Sequence, residues 1–505
     1  MILLNEIRIL QLGNEDWNKV YVLPEVVRLD YVDKFFEVPK EPYDIFFLDR
    51  TPLENELEPL YQAIKAYTLF VTENVEIHDK VQWLCRSRKA QYIKRVDVQK
   101  FLQQEAKYYY AAPYGEKFKF HYMSISRNFQ GTVKWNGNYS VVLQGEFGND
   151  FSQIAFWRNN ILVSKGRTID LWLEYYKSSD IELSLMVTMF SDGSVSNISK
   201  QWRFSEAELE QVVQIESEQK NGWIFVSLHA RGEGELKIVA LHNRYSRGKH
   251  GYFLPGGERY VDSNREEIFC YFEPGDMKPP LNVYFSGYKT RQGFEGYYMM
   301  KKLGCPFLLL AEPRLEGGAF YMGSDEYENM LVDIIRKYVT ELGFESSQVI
   351  LSGLSMGTYG ALYYGCDIRP YAILLGKPLT SIGNIAANEK YLRPGGFPTS
   401  LDVLKYQNGG ADDNMVRKLN NRFWDKFDMS DWRGVKFIVS YMIEDDYDCD
   451  AYNMLLSHLS AEGVQVYGKG IHGRHNDNTP MVTKWFINQY KRILREEFGR
   501  RIGIE

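Results

Sequence analysis

The order of hydrophobic and polar positions divides the chain into three stretches with different periodicities. In residues 1–110, short apolar runs alternate with helical spacing. Segments 7–13, 44–49, 67–71 and 91–93 read as strands, the second apolar enough to be buried on both faces. Leu57, Leu60, Tyr61 and Ile64 mark the inner face of a helix within 53–66. Strands alternating with helices predict a parallel, doubly wound, Rossmann-like sheet. No glycine-rich phosphate loop follows Gly13, so no nucleotide site is expected there.

Residues 111–265 have a different grammar. Segment 181–187 alternates apolar and polar residues, as a half-buried strand must. Asn136-Gly137 lies between β-formers, a hairpin signal, and 223–228 and 235–241 read as two further strands. A jelly-roll-like β-sandwich is expected, with Trp135, Trp157, Trp172 and Trp202 either in its core or stacked on sugar rings. His229, His242 and His250 lack ligand-like spacing and are expected to be structural.

From 266 to 505 the strand–helix alternation returns. Segments 281–285 and 307–311 are strands, and Ser324 should cap a helix whose apolar face is Met330, Leu331, Ile334, Tyr338 and Leu342, with Gly343 just beyond its end. Further strands are expected at 348–351, 371–375, 435–441 and 464–467, with Thr479 capping the last helix. The expected fold is therefore α/β, with a C-terminal α/β-hydrolase domain (266–505) preceded by the Rossmann-like domain and the sandwich. A lid-like insertion occupies 376–432.

Composition bounds the function. A chain of 505 residues that is 44% hydrophobic and 25% charged is an ordinary globular protein of about three domains. Its net charge of −6 argues against nucleic acid as a partner. Five scattered cysteines without C-x-x-C spacing suggest neither a disulfide framework nor a zinc site, and no metal is expected. The first residues lack the features of a signal peptide, and the apolar run 305–311 is too short to span a bilayer, so the expected location is cytoplasmic. Arg86, Arg88, Lys89, Lys94 and Arg95 form a local basic cluster, read as a solvated face or a contact to an anionic membrane. Asp49, at a strand end, reads as a turn or capping residue rather than a phosphoacceptor.

The chemistry is concentrated in Gly353-Leu354-Ser355-Met356-Gly357, a G-x-S-x-G elbow between β-formers and small helix-compatible residues. A serine needs a base in contact and an acid to orient that base. Both follow in the order expected of α/β-hydrolases: Glu444, Asp445, Asp446 and Asp448 after one strand, and His472 and His475 after the last. Ser355, Asp445 and His475 are preferred, with Glu444 as alternative acid and His472 as alternative base. Met356 N–H and that of Gly287 or Tyr288 are expected to bind the oxyanion. Neither Cys366 nor Cys449 follows a nucleophile motif.

The elbow (Gly-Leu-Ser-Met-Gly-Thr-Tyr-Gly-Ala), the acid loop (Glu-Asp-Asp-Tyr-Asp) and the histidine loop (Gly-Arg-His-Asn-Asp) together resemble the accessory secretory protein two family of the accessory Sec system of Gram-positive bacteria. The resemblance covers essentially the full chain and is most specific from Ser286 to Asp477. It implies a cytoplasmic protein, peripherally associated with the membrane translocase, that O-acetylates N-acetylglucosamine on serine-rich repeat adhesins and supports their export. It also implies a complex with two other accessory secretory proteins, delivery of the glycosylated adhesin to a translocase motor, no tightly bound cofactor, and an acetyl donor whose identity is left open. An esterase or a non-catalytic export adaptor are the alternative readings. Glutamate or aspartate can fill the acid role in that family, which keeps Glu444 beside Asp445.

Overall fold

The structure is a computed structural model, and it describes residues 6–110, 115–191, 193–194, 196–217, 220–459 and 463–501. It is a mixed α/β protein with three hydrogen-bonded sheets. The first has five parallel strands in the spatial order Val27–Val32, Ile7–Leu12, Ile45–Leu48, Leu69–Val71, Gln91–Tyr92. Its central strand Ile45–Leu48 is wholly buried, as its unbroken apolar run requires. The edge strand Val27–Val32 is absent from the sequence expectation. Its charged, half-exposed residues give only a weak apolar signal.

The second sheet joins ten strands into one hydrogen-bonded network, where a jelly roll was expected to give two separate sheets. The cause is strand length. Segments 223–228 and 235–241, expected as separate strands, belong to one strand of 24 residues, Gly222–Tyr245. It pairs along its length with Ser140–Trp157, with register shifts between Leu228 and His229 and on either side of Gly232. Trp157 and Trp172 are buried, Trp202 packs against the same core, and only Trp135 is exposed. Three of the four tryptophans are thus packed against protein.

The third sheet has eight strands in the order Glu258–Val261, Glu267–Glu273, Phe307–Ala311, Leu281–Phe285, Val349–Leu354, Ala372–Gly376, Lys436–Met442, Gln465–Ile471. Numbered along the chain this order is 1-2-4-3-5-6-7-8, and only the second strand runs antiparallel to its neighbours. The helix Asp325–Leu342 begins at Ser324, whose side chain accepts from Tyr327 N, and ends at a left-handed Gly343. The last helix, Thr479–Glu496, differs by one residue from expectation: Asn478 occupies the N-cap position and Pro480 lies in the first turn.

Polar contacts tie the sheets together. Arg88 is buried, bonds the Tyr61 carbonyl through Nε (3.0 Å) and lies 3.5 Å from Glu273 of the third sheet. Lys89 pairs with Glu341, and Arg95 pairs with Glu15 at 2.7 Å. The expected basic cluster is therefore partly an internal joint rather than one continuous face. Gly115 and Gln292 exchange backbone hydrogen bonds of 3.2 and 2.8 Å, joining the second sheet to the loop after Leu281–Phe285. Asp49 is buried and accepts from Trp17 Nε1, Thr72 Oγ1 and Asn74 Nδ2, which fits a structural turn residue. All five cysteines are free thiols. Among the described residues no helix is long and apolar enough to cross a membrane.

Candidate active site

Strand Val349–Leu354 lies inside the third sheet and is buried up to its last residue. The chain then turns at Ser355 into helix Met356–Ile368. Ser355 has φ 52° and ψ −122°, a left-handed conformation that is strained for serine by about 1–3 kcal/mol. The glycines permit the turn by close approach. A Cβ on Gly353 would sit 2.3 Å from the Gly357 carbonyl, and one on Gly357 would sit 2.1 Å from the Phe285 carbonyl oxygen. The elbow is thereby pressed against both its own helix and the neighbouring strand. Its serine stands at the sheet's C-terminal edge.

The two later loops converge on that serine. Ser355 Oγ is 2.8 Å from His475 Nε2, and His475 Nδ1 is 2.9 Å from Asp445 Oδ2. A proton on Nδ1 facing the carboxylate leaves Nε2 as acceptor for the serine hydroxyl. His475 and Asp445 are both buried, which protects this chain of hydrogen bonds from water. Asp445 Oδ1 also accepts from Tyr447 N at 2.8 Å and Asp448 N at 3.3 Å, fixing its carboxylate plane.

The three other acids of this loop have partners of their own. Glu444 is exposed; Gly473 N–H and His472 bind its carboxylate and hold its pKa below the usual range. His472 is itself exposed and turned away from Ser355 toward Glu444. Asp446 accepts from His475 N at 3.0 Å and pairs with Arg393 Nε at 2.9 Å. Asp448 is buried, which raises its pKa, and accepts from Thr380 N and Ser381 N at 2.7 and 2.8 Å. The structure thus brings Ser355, His475 and Asp445 together, and places Glu444 and His472 as a separate surface pair.

The expected oxyanion donors divide in the same way. Met356 and Tyr288 line a cavity of about 440 Å³ that also contains Ser355 and His475, and among the described residues neither amide has a hydrogen-bond acceptor. Gly287, the other expected donor, is already engaged: its N–H donates to Glu295 Oε2 at 2.6 Å. Glu295 N in turn donates to Ser286 Oγ at 3.1 Å, and Tyr321 Oη donates to the Ser286 carbonyl at 2.7 Å. The Ser286–Tyr288 loop is clamped from both sides, leaving the Tyr288 amide open.

Three further side chains had no distinguishing sequence signal. Tyr447 stacks on the His475 imidazole, with centroids 4.3 Å apart and planes at 7°. The Arg393 guanidinium lies 4.0 Å from the Tyr447 ring centroid. Lys377 is buried and donates to the carbonyls of His475 and Asp477 and to Thr479 Oγ1, clasping the histidine loop. Burial pushes its ammonium pKa down, while Asp445 opposes that shift. From the 376–432 insertion, Gly396, Phe397 and Pro398 line the cavity opposite the elbow.

One group elsewhere has metal-ligand composition. Ligand atoms of Glu174, His242 and Glu267 lie within 4.8 Å of one another, all buried. Both Glu267 oxygens are already held by arginines, Arg244 at both and Arg259 at Oε1. Burial alone would raise the Glu267 pKa, but these arginines keep it well below the usual carboxylate range. Gln292 occupies His242 Nδ1. The group is an ion network joining the second and third sheets, in which His242 Nε2 and Glu174 Oε1 face each other at 3.0 Å.

The fold and site define a mixed α/β protein carrying a serine–histidine–aspartate arrangement beside an open amide pair. Residues 7–500 match the family described as Accessory Sec system GspB-transporter, and the chain belongs to that family. An accessory Sec system protein of Streptococcus gordonii is 39% identical over 508 residues, covering 98% of this chain and 99% of that one. Its Staphylococcus aureus counterpart is 38% identical over 520 residues, covering 98% and 97%. Among solved structures, a chain of the Glycosylation Associate Protein (Gap123) complex from Streptococcus agalactiae superposes with a TM-score of 0.89 at 36% identity, covering 98% of this chain and 99% of that one.

Proposed function

We propose that this protein is a serine acyltransferase of the accessory Sec system that O-acetylates N-acetylglucosamine on serine-rich repeat adhesins and supports their export. The observation that carries the proposal is the 2.8 Å contact of Ser355 Oγ with a histidine backed at 2.9 Å by Asp445. The third sheet's 1-2-4-3-5-6-7-8 order, with one antiparallel strand, supports an α/β-hydrolase type of catalytic domain. The first sheet then belongs to an N-terminal domain (1–110) and the second to a β domain, whose expected end at residue 265 moves back to before Glu258–Val261, because that strand is part of the third sheet.

The reaction follows from the geometry. Ser355 Oγ attacks the acyl carbonyl carbon of the donor as its proton passes to His475 Nε2. The oxyanion so formed is bound by the Met356 and Tyr288 amides, and Asp445 stabilises the imidazolium. Collapse expels the donor's leaving group, which takes the proton, and leaves an ester on Ser355. A sugar hydroxyl then attacks that ester, giving its proton to His475, and a second collapse returns Ser355 with its proton. Water in place of the sugar would make the same site an esterase.

The partners proposed are two other accessory secretory proteins, supported by the fold shared with a chain of the Gap123 complex. The glycosylated adhesin and a translocase motor complete the set, at the cytoplasmic face of the membrane. The test is sugar acetylation of the adhesin in cells carrying Ser355→Ala. Loss of acetylation with export largely retained is the expected result. Unchanged acetylation would sink the transferase reading, and comparing acetate release with sugar product separates it from an esterase.

A further inference from the structure

Next to the cavity around Ser355 lies a second one, of about 290 Å³, walled by the second sheet on one side and the oxyanion loop on the other. Its lining is basic. Lys117, Lys119 and His121 come from the start of the second sheet's chain, and Lys289 and Thr290 directly follow Tyr288. Among its lining residues the only carboxylate is Glu316, which lies 3.8 Å from Lys119.

Lys117 is the most informative member. Its ammonium donates to the Leu315 carbonyl, and among the described residues no carboxylate pairs with it. Burial pushes its pKa down, with Glu174 and Glu267 opposing from beyond pairing distance, and burial does the same to Lys289. Lys117 is half-buried at the cavity wall, and an anion in the cavity would add a charge-assisted contact to its ammonium. The cavity's volume sits at the lower edge of the range for small-molecule sites, so it suits a charged head group rather than a whole ligand.

We infer that this cavity binds the phosphate group of the acyl donor, so that the donor's acyl end meets Ser355 while its anionic end rests on Lys117, Lys119 and Lys289. The inference rests on the acyl-transfer reading and narrows it to a phosphorylated donor. Position supports it. Lys289 and Thr290 are one and two residues beyond the Tyr288 amide, a span of at most about 7 Å of chain. The Tyr288 ring separates the two cavities, resting on Phe397 on one side (centroids 5.1 Å apart) and close to Gly317 on the other. The acyl step is unchanged in its balance: the carbonyl carbon's bond to the donor breaks, and the phosphorylated leaving group departs with the proton from His475.

Two donor chemistries share this anion: acetyl phosphate, with phosphate on the acyl group itself, and a coenzyme-A-type thioester, with phosphates remote from it. Calorimetry on the full-length Ser355→Ala variant measures binding without turnover, using pyrophosphate, acetyl phosphate and coenzyme A as probes. Pyrophosphate is expected to bind, and Lys119→Gln combined with Lys289→Gln is expected to weaken it about tenfold or more, since charge-assisted hydrogen bonds are lost. Arginine at both positions should restore most of the affinity, and thermal unfolding should show the variants folded. Tighter binding of coenzyme A or of acetyl phosphate identifies which source supplies the phosphate. Failure of all three probes to bind, or equal binding by the double glutamine variant, overturns the inference. Because binding is read without catalysis, a failed donor site and a failed acyl-transfer reading remain distinguishable.

Discussion

His475 and Asp445 face each other at 2.9 Å, while the adjacent Glu444 bonds His472 at the same distance on the surface. Two carboxylate–histidine pairs built from neighbouring residues thus differ in burial and in access to Ser355. Only the buried pair can orient a base toward the serine. Asp445→Asn should therefore lower turnover about 10³–10⁴-fold, because an amide favours the wrong imidazole tautomer. Glu444→Gln should stay within a few-fold of wild type. Steady-state kinetics on an activated ester measures both, and a severe loss in Glu444→Gln with activity retained in Asp445→Asn would reverse the assignment.

Glu295 illustrates a positioning residue. Its carboxylate holds Gly287 N at 2.6 Å and its amide holds Ser286 Oγ, so the loop carrying Tyr288 N is fixed in register with Met356 N. Glu295→Ala should lower kcat about 10- to 100-fold by misplacing one oxyanion donor. Glu295→Gln keeps an acceptor for Gly287 and should recover much of that loss. Measuring kcat and KM separately tests the role, since a defect confined to KM would mean that Glu295 acts on substrate binding instead.

The elbow and its partners were legible because chemistry and backbone geometry restrict the residue types there. Glycine is required at Gly353 and Gly357 by close contacts, and the acid and histidine follow successive strands. The central strands of the first and third sheets were legible as unbroken apolar runs. The edge strand Val27–Val32 was not, because exposed polar residues interrupt its pattern. The continuity of Gly222–Tyr245 was hidden for a related reason, since the polar Arg231–Gly234 segment resembles a turn. Choosing Tyr288 over Gly287 needed Glu295, whose contact is tertiary and leaves no local trace. Arg393, Tyr447 and Lys377 act from three different loops, so no spacing rule could assemble them.

Gly357 gives a stability test of the elbow that is independent of chemistry. A methyl group there would meet the Phe285 carbonyl oxygen at 2.1 Å, and strand Leu281–Phe285 is wholly buried with no room to retreat. Gly357→Ala should destabilise the protein by about 1–3 kcal/mol or more. A urea unfolding curve checks this through its midpoint. A midpoint equal to wild type would show that the helix can shift away from the strand.

Glu266 sets a pH dependence that lies outside the triad. It is 7% exposed, accepts from Tyr406 Oη, and faces Arg314 Nη1 at 3.0 Å. Burial raises its pKa from the ordinary 4.5 to about 7, with Asp262 and Glu174 reinforcing the shift and Arg314 opposing it. A folded-state pKa above the unfolded one means that the folded protein binds more protons in that window. The stability from this group is therefore fully present below pH 4.5 and is lost as pH rises through about 7. Glu266→Gln cannot titrate, yet its amide oxygen still accepts from Tyr406 and Arg314. Relative to the variant, wild type should lose stability across this window, each pKa unit corresponding to about 1.4 kcal/mol at most. Thermal unfolding of both proteins from pH 5 to about pH 8 measures the difference. Parallel curves would show that the Arg314 and Tyr406 contacts keep Glu266 ionised throughout.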